Sequence, residues 1–139
     1  EMMVNHLARF VEFPTQEIYN AAINILKYLK KTSKYGIKFN RVQHYDNRIQ
    51  PMLIAHSDSN YASDHDAVSV SGYVIQLTDK FYWDNIEIAE PTVYNMISYT
   101  SRRQREVAKS STESEYIASA LTLKNILHKK YIMEELGFI

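Results

Sequence analysis

The chain has 139 residues, 16 Lys plus Arg against 16 Asp plus Glu, 45% hydrophobic and 23% charged residues, and no cysteine. That length suits one domain or a small domain with an appendage, the composition is that of a folded protein, and the balanced charge excludes recognition of nucleic acid through a global basic excess. Lack of cysteine excludes disulfides, thiolate zinc sites and a cysteine nucleophile, and it fits a reducing compartment.

The first residues, "EMMVNHLARF", lack the basic-then-apolar order of a signal peptide and are already amphipathic, as a segment cut from a longer polypeptide would be. No apolar run approaches the roughly 18 residues of a membrane span. Val4 to Phe13 reads as a short helix. Over residues 15–31, Ile18, Ala21, Ala22, Ile25, Leu26 and Leu29 recur at helical spacing, with Pro14 and Thr15 at the entry and lysines and Gly36 at the exit. From "YGIKF" onward the period changes. Residues 52–57, 69–77 and 96–101 are short, rich in branched and aromatic side chains, and read as three strands. Gly72 in the middle one marks a bulge or a close backbone approach. Residues 80–95 have no clean period and fit an extended hairpin. Residues 111–136 form one long helical pattern with Ile117, Ala120, Leu121, Leu127, Tyr131 and Ile132 on its apolar side and Gly137 as its C-cap.

Three glycines are too few for a dinucleotide fingerprint or a P-loop, and no HExxH pair occurs. "DSNYASDHDAVS" begins like a calcium loop but has Ser63 where glycine is needed and Ser69 where glutamate is needed. His56 and His65, beside Asp58, Asp64 and Asp66, read as polar loop chemistry. "SSTESEYIASA" offers two capping pairs, Ser110 with Glu113 and Thr112 with Glu115, and only one can start the helix. If it is the first, Glu115 lies inside the second turn and needs another reason to be there. A strand-borne Asp58 facing a helix-borne Glu115 could hold divalent ions for phosphodiester hydrolysis. The spacing alone equally describes a turn aspartate and a capping glutamate. Arg102, Arg103 and Arg105 in "RRQR" could grip a sugar-phosphate backbone or simply form a solvated turn, and Lys27, Lys30, Lys31 and Lys34 have the same ambiguity at a helix C-terminus.

Together these segments resemble the Pol polyprotein of copia-type LTR retrotransposons, from the end of the reverse transcriptase into the RNase H domain. "VNHLARFVEFPTQEIYNAAINILKYLKKTSKYGIKF" is similar to the last helical part of the reverse transcriptase. "AHSDSNYASD", "SVSGYVIQL", "ISYTSRRQ" and "SSTESEYIA" are similar to successive RNase H blocks, in order. Asn60, Tyr61, Ser63 and Tyr99 depart from the residues common in the family, and the stretch from Lys80 to Asn95 is longer than its usual turn, as in a divergent copy.

The resemblance implies an α/β fold: residues 1–40 as a helical thumb or connection segment, then residues 41–139 as an RNase H-like mixed sheet of three strands followed by a long helix, truncated there. It implies that Asp58 and Glu115 are the catalytic, metal-holding carboxylates, with Glu113 as the cap. The cofactor would be magnesium or manganese, and Arg102, Arg103 and Arg105 would contact nucleic acid. The parent would cut the RNA strand of RNA:DNA hybrids by two-metal catalysis during reverse transcription, in a cytoplasmic virus-like particle or in the nucleus. A third family Asp lies on a strand that would follow Ile139, so the chain alone is expected to be a poor or dead nuclease with an unpartnered strand edge open to self-association or to full-length Pol. The alternative is a non-catalytic truncated product acting as a nucleic-acid-binding or protein-interaction module.

Overall fold

The computed structural model describes residues 2–39, 51–62, 67–79 and 95–138, so that of residues 80–95, expected as an extended hairpin, all but Asn95 lie outside the described residues. The chain divides into two compact units, Glu1–Ile37 and Lys38–Ile139.

In the first unit, α1 (Met2–Leu7) runs into a single 3-10 turn (Ala8–Phe10), and α2 spans Gln16–Lys31. The stretch expected as one short helix from Val4 to Phe13 is therefore broken after Leu7. Thr15 caps α2, its hydroxyl accepting from the Ile18 N–H at 3.3 Å. At the other end the Thr32 hydroxyl donates to the Tyr28 carbonyl at 2.8 Å. Ile18, Ala22, Ile25 and Leu26 line an apolar groove of about 510 Å³ with residues of the first turns, yet α2 has no fully buried residue. Leu26 and Leu29, expected on the covered face, are 60% and 55% exposed.

In the second unit, β1 (Pro51–Asn60), β2 (Val70–Asp79) and β3 (Asn95–Arg103) form a sheet in the order β1-β2-β3. Both pairings are antiparallel, where a mixed sheet was expected. A parallel pair needs a crossover of a dozen or more residues, and among the described strands none is paired that way. The ladder slips between Ile75 and Gln76. The irregularity is thus not at Gly72, where an added Cβ would meet only the Thr100 carbonyl oxygen at 3.6 Å and that of Asp58 at 4.0 Å.

Helix α3 (Ser111–Glu135) lies over β1 and β2. Its buried residues are Ser114, Ala118 and Thr122, spaced four apart. Ile117 and Leu121 flank this stripe as expected, whereas Leu127, Tyr131 and Ile132 are 40%, 57% and 40% exposed and Ala120 is also exposed. Small side chains bring the helix close to the sheet, and their hydroxyls are satisfied nearby: Thr122 donates to the Ala118 carbonyl at 2.8 Å. Ile75 is fully buried in the sheet, which is worth about 2–3 kcal/mol. Gly137, at φ +74, ends the helix, with the Gly137 N–H on the Glu134 carbonyl at 3.0 Å and the Phe138 N–H on the Met133 carbonyl at 2.9 Å.

One buried polar side chain joins these layers. Gln104, directly after β3, continues the ladder through its N–H to the Ser69 carbonyl at 2.8 Å. Its side-chain nitrogen donates to the Ser71 hydroxyl at 2.9 Å and to the Ser114 carbonyl and hydroxyl at 3.0 and 3.3 Å. An alanine here leaves buried acceptors on β2 and α3 without a donor. Gln104→Ala is therefore expected to lower stability by about 2–3 kcal/mol, read as a lower urea midpoint at unchanged slope. A loss under about 0.5 kcal/mol, the range of ordinary surface changes, would show that this amide does not hold the layers together.

Candidate metal site and basic cleft

Asp58 and Glu115 come from different elements of the same unit. Asp58 lies near the end of β1, opposite Gly72, and is exposed. Glu115 sits early in α3, also exposed. Which capping pair starts α3 is decided by Ser110: its backbone is extended and its hydroxyl accepts from the Glu113 N–H at 3.1 Å. The Glu113 carboxylate accepts in turn from the Lys109 N–H. Glu113 is thus occupied in the cap, and the carboxylate two residues on is free of that task.

Glu115 reaches β1 instead. Its Oε1 accepts from the Ser59 N–H at 3.3 Å, one residue past Asp58. An N–H used this way is not given to a β2 carbonyl, so it belongs to the outward side of the strand. Beside it the Ser57 and Ser119 hydroxyls meet at 3.3 Å, so Ser57 faces α3. Alternation along the strand then directs Asp58 to the opposite face, in line with Gly72 and Ser101. Glu115 thus reaches the edge of β1 at Ser59, while the neighbouring Asp58 side chain is directed away from α3, and no pocket between helix and sheet holds the two carboxylates together. Among the described residues no group of three or more His, Cys, Asp or Glu could hold a metal. His56 is exposed two residues before Asp58, while Asp64, His65 and Asp66 lie outside the described residues.

Just beyond Asp58 the chain turns with Ala62 at φ +46 and Ala67 at φ +55. Left-handed backbone costs a residue with a Cβ about 1–2 kcal/mol. The turn is held in part by the Ala62 N–H donating to the buried Ser69 hydroxyl at 3.1 Å.

The arginines do not join the carboxylates. Arg102 and Arg103 end β3, Arg105 follows Gln104, and all three line a cleft of about 370 Å³ with Lys124, Ile117 and Leu121 of α3. Ser101, the neighbour of Arg102, pairs with Gly72, which pairs with Asp58, so two strand spacings, about 10 Å, separate the two places. Lys124 and Gln104 were invisible as site residues in the sequence. A glutamine inside a basic run was the one available signal for Gln104, and nothing local marks Lys124.

Comparison with known proteins places this chain beside transposon proteins. It is 33% identical over 135 residues to the retrovirus-related Pol polyprotein from transposon RE1 of Arabidopsis thaliana, and 31% identical over 135 residues to that from transposon RE2 of the same plant. Each match covers 96% of this chain and 8% of the relative, so the chain spans less than a tenth of those polyproteins. It is also 31% identical over 116 residues to the secreted RxLR effector protein 161 of Plasmopara viticola, covering 83% of this chain and 67% of that protein. No family model matches the chain, and no solved structure matches it.

The two glutamates separate by experiment. Glu113→Ala is expected to cost about 1 kcal/mol, since it removes half of a capping box. Glu115→Gln keeps an oxygen acceptor for the Ser59 N–H and should change stability by less than about 0.5 kcal/mol. Thermal unfolding of both variants measures this, and equal losses would remove the distinction between cap and edge carboxylate.

Proposed function

The chain belongs to the copia-type, retrovirus-related Pol polyproteins of retrotransposons, and on that premise we propose that its second unit is part of an RNase H domain in which Asp58 and Glu115 hold divalent metal. The first unit is then the helical end of the reverse transcriptase. The observation that carries this reading is the hydrogen bond from the Ser59 N–H to Glu115, which draws a helix carboxylate to the strand position next to Asp58.

The donor set suits magnesium or manganese. Both carboxylates are exposed hard-oxygen donors, and magnesium keeps several waters while taking one or two protein carboxylates and the phosphate oxygens of its substrate. Bound there, such ions supply Lewis-acid stabilisation of the phosphate and an activated water. The protein's own share is positional: β1 fixes Asp58, the Ser110 cap sets the start of α3, and the edge hydrogen bond holds Glu115. Two carboxylates are fewer than a two-metal centre takes from its protein, so Asp64, Asp66 or another segment of Pol completes the set. The isolated chain is accordingly a weak nuclease that binds RNA:DNA hybrid better than it cuts it. Recognition of the hybrid rests on its shape and backbone, which asks for no base-specific residues.

A second reading has its own observation. Among the described residues Arg102, Arg105 and Lys124 have no ion-pair partner, although all line one cleft. A non-catalytic product could use this cleft to hold nucleic acid.

A labelled RNA:DNA hybrid incubated with magnesium separates the readings. Slow cleavage by the chain, lost in Asp58→Asn and in EDTA, is the outcome expected of the nuclease segment. Binding with no cleavage at any enzyme concentration favours the second reading, and neither binding nor cleavage would leave both without support.

A further inference from the structure

We infer that the cleft between the end of β3 and α3 is a subsite for one phosphate-and-sugar unit of a nucleic-acid backbone, with Lys124 of α3 as its key cation. This deepens the reading of the chain as a segment that acts on RNA:DNA hybrid, and it rests on that reading for the choice of polymer.

The cleft combines two chemistries. Arg102 and Arg105 approach from the β3 end and Lys124 from the fourth turn of α3, and among the described residues none of them has an ion-pair partner. Unpaired cations converging on one opening present a ready site for phosphate, and two arginines can grip its oxygens as planar forks. Glu106 is the single acidic residue on the lining. The wall between the cations is apolar: Ile117 and Leu121 are half-buried there, one turn apart. A free inorganic anion has no use for that wall, whereas the carbon face of a sugar does. A volume of about 370 Å³ accommodates one such unit and not a folded peptide.

The position of the cleft also fits a polymer better than a free small ligand. The backbone of Ser101, next to Arg102 of the cleft, is two strand spacings, about 10 Å, from that of Asp58. A polymer anchored at Lys124 can continue past such a separation where a small ligand cannot, and the grip itself would persist without metal.

The experiment measures binding of a fluorescent RNA:DNA hybrid by anisotropy in EDTA, across a range of salt concentrations, for the full chain, Lys124→Gln and Lys130→Gln. Each substitution removes one positive charge, but Lys130 is paired with Glu134 at 3.0 Å further along α3. Lys124→Gln is expected to weaken binding several-fold and to reduce the slope of log affinity against log salt by about 0.9. Lys130→Gln should leave both within error. Equal effects of the two variants, or none from Lys124→Gln, would overturn the subsite. A competition arm tests the sugar: a dinucleotide should displace the hybrid at lower concentration than inorganic phosphate, and equal displacement would reduce the cleft to an anion site and overturn the assignment. Because EDTA removes metal, this binding is read apart from any ion held at Asp58. Failure of the cleft is thereby distinct from failure of the nuclease reading, which is judged by magnesium-dependent cleavage.

Discussion

The side-chain amide of Gln104 sets the geometry on which the rest of the second unit depends. Its nitrogen bonds at once to Ser71 of β2 and to Ser114 in the first turn of α3, and all three residues are buried. A buried amide is costly unless its donors are used, so the helix must begin where the Ser114 carbonyl can receive one. That condition fixes the start of α3 over the sheet, and the stripe of Ser114, Ala118 and Thr122 lets the helix settle closely onto β1 and β2. Among the described residues the Gln104 Oε1 and the Ser59 hydroxyl are buried without a partner, a cost this arrangement accepts.

Glu115 follows from that placement. With the cap satisfied by Ser110 and Glu113, the next carboxylate along α3 falls at the edge of β1, where an outward N–H awaits an acceptor. Alternation turns Asp58 to the other face, so the backbone at Ser59 is the point where the helix carboxylate comes next to the residue that carries the strand acid. The basic cleft opens on the β3 side of the same helix. One helix therefore carries an acidic contact toward β1 and a cation toward β3.

Much of this was legible in the sequence. The three strands and two principal helices were readable because branched runs with period two and apolar runs with helical period are local patterns. Ser110 and Glu113 were readable as a cap for the same reason, though they competed with Thr112 and Glu115 until the extended backbone at Ser110 decided between them. The buried face of α3 was not legible. Hydrophobicity pointed to Leu127, Tyr131 and Ile132, whereas close approach to the sheet selected the small residues Ser114 and Thr122, whose polarity hides their burial. Gly72 suggested a bulge or a close backbone approach; the slip occurs instead at Ile75 and Gln76, and a Cβ at position 72 would meet the neighbouring strand carbonyls only at ordinary contact distance. The antiparallel sheet, Gln104's network and Lys124's place in the cleft arise from contacts distant in sequence, which no local pattern encodes.

The central claim is that Asp58 and Glu115 serve one divalent ion together. Calorimetric titration of manganese into the natural chain, Asp58→Asn, Glu115→Gln and the double variant tests it most directly, since manganese takes the same hard-oxygen donors as magnesium. If the two acids share the ion, each single variant loses most of the affinity and the double variant is little worse than either, a coupling well above the 0.3–0.5 kcal/mol or so typical of independent sites. Losses that simply add, or an affinity unmoved by Glu115→Gln, would contradict the shared site and return Glu115 to an edge contact of purely structural value.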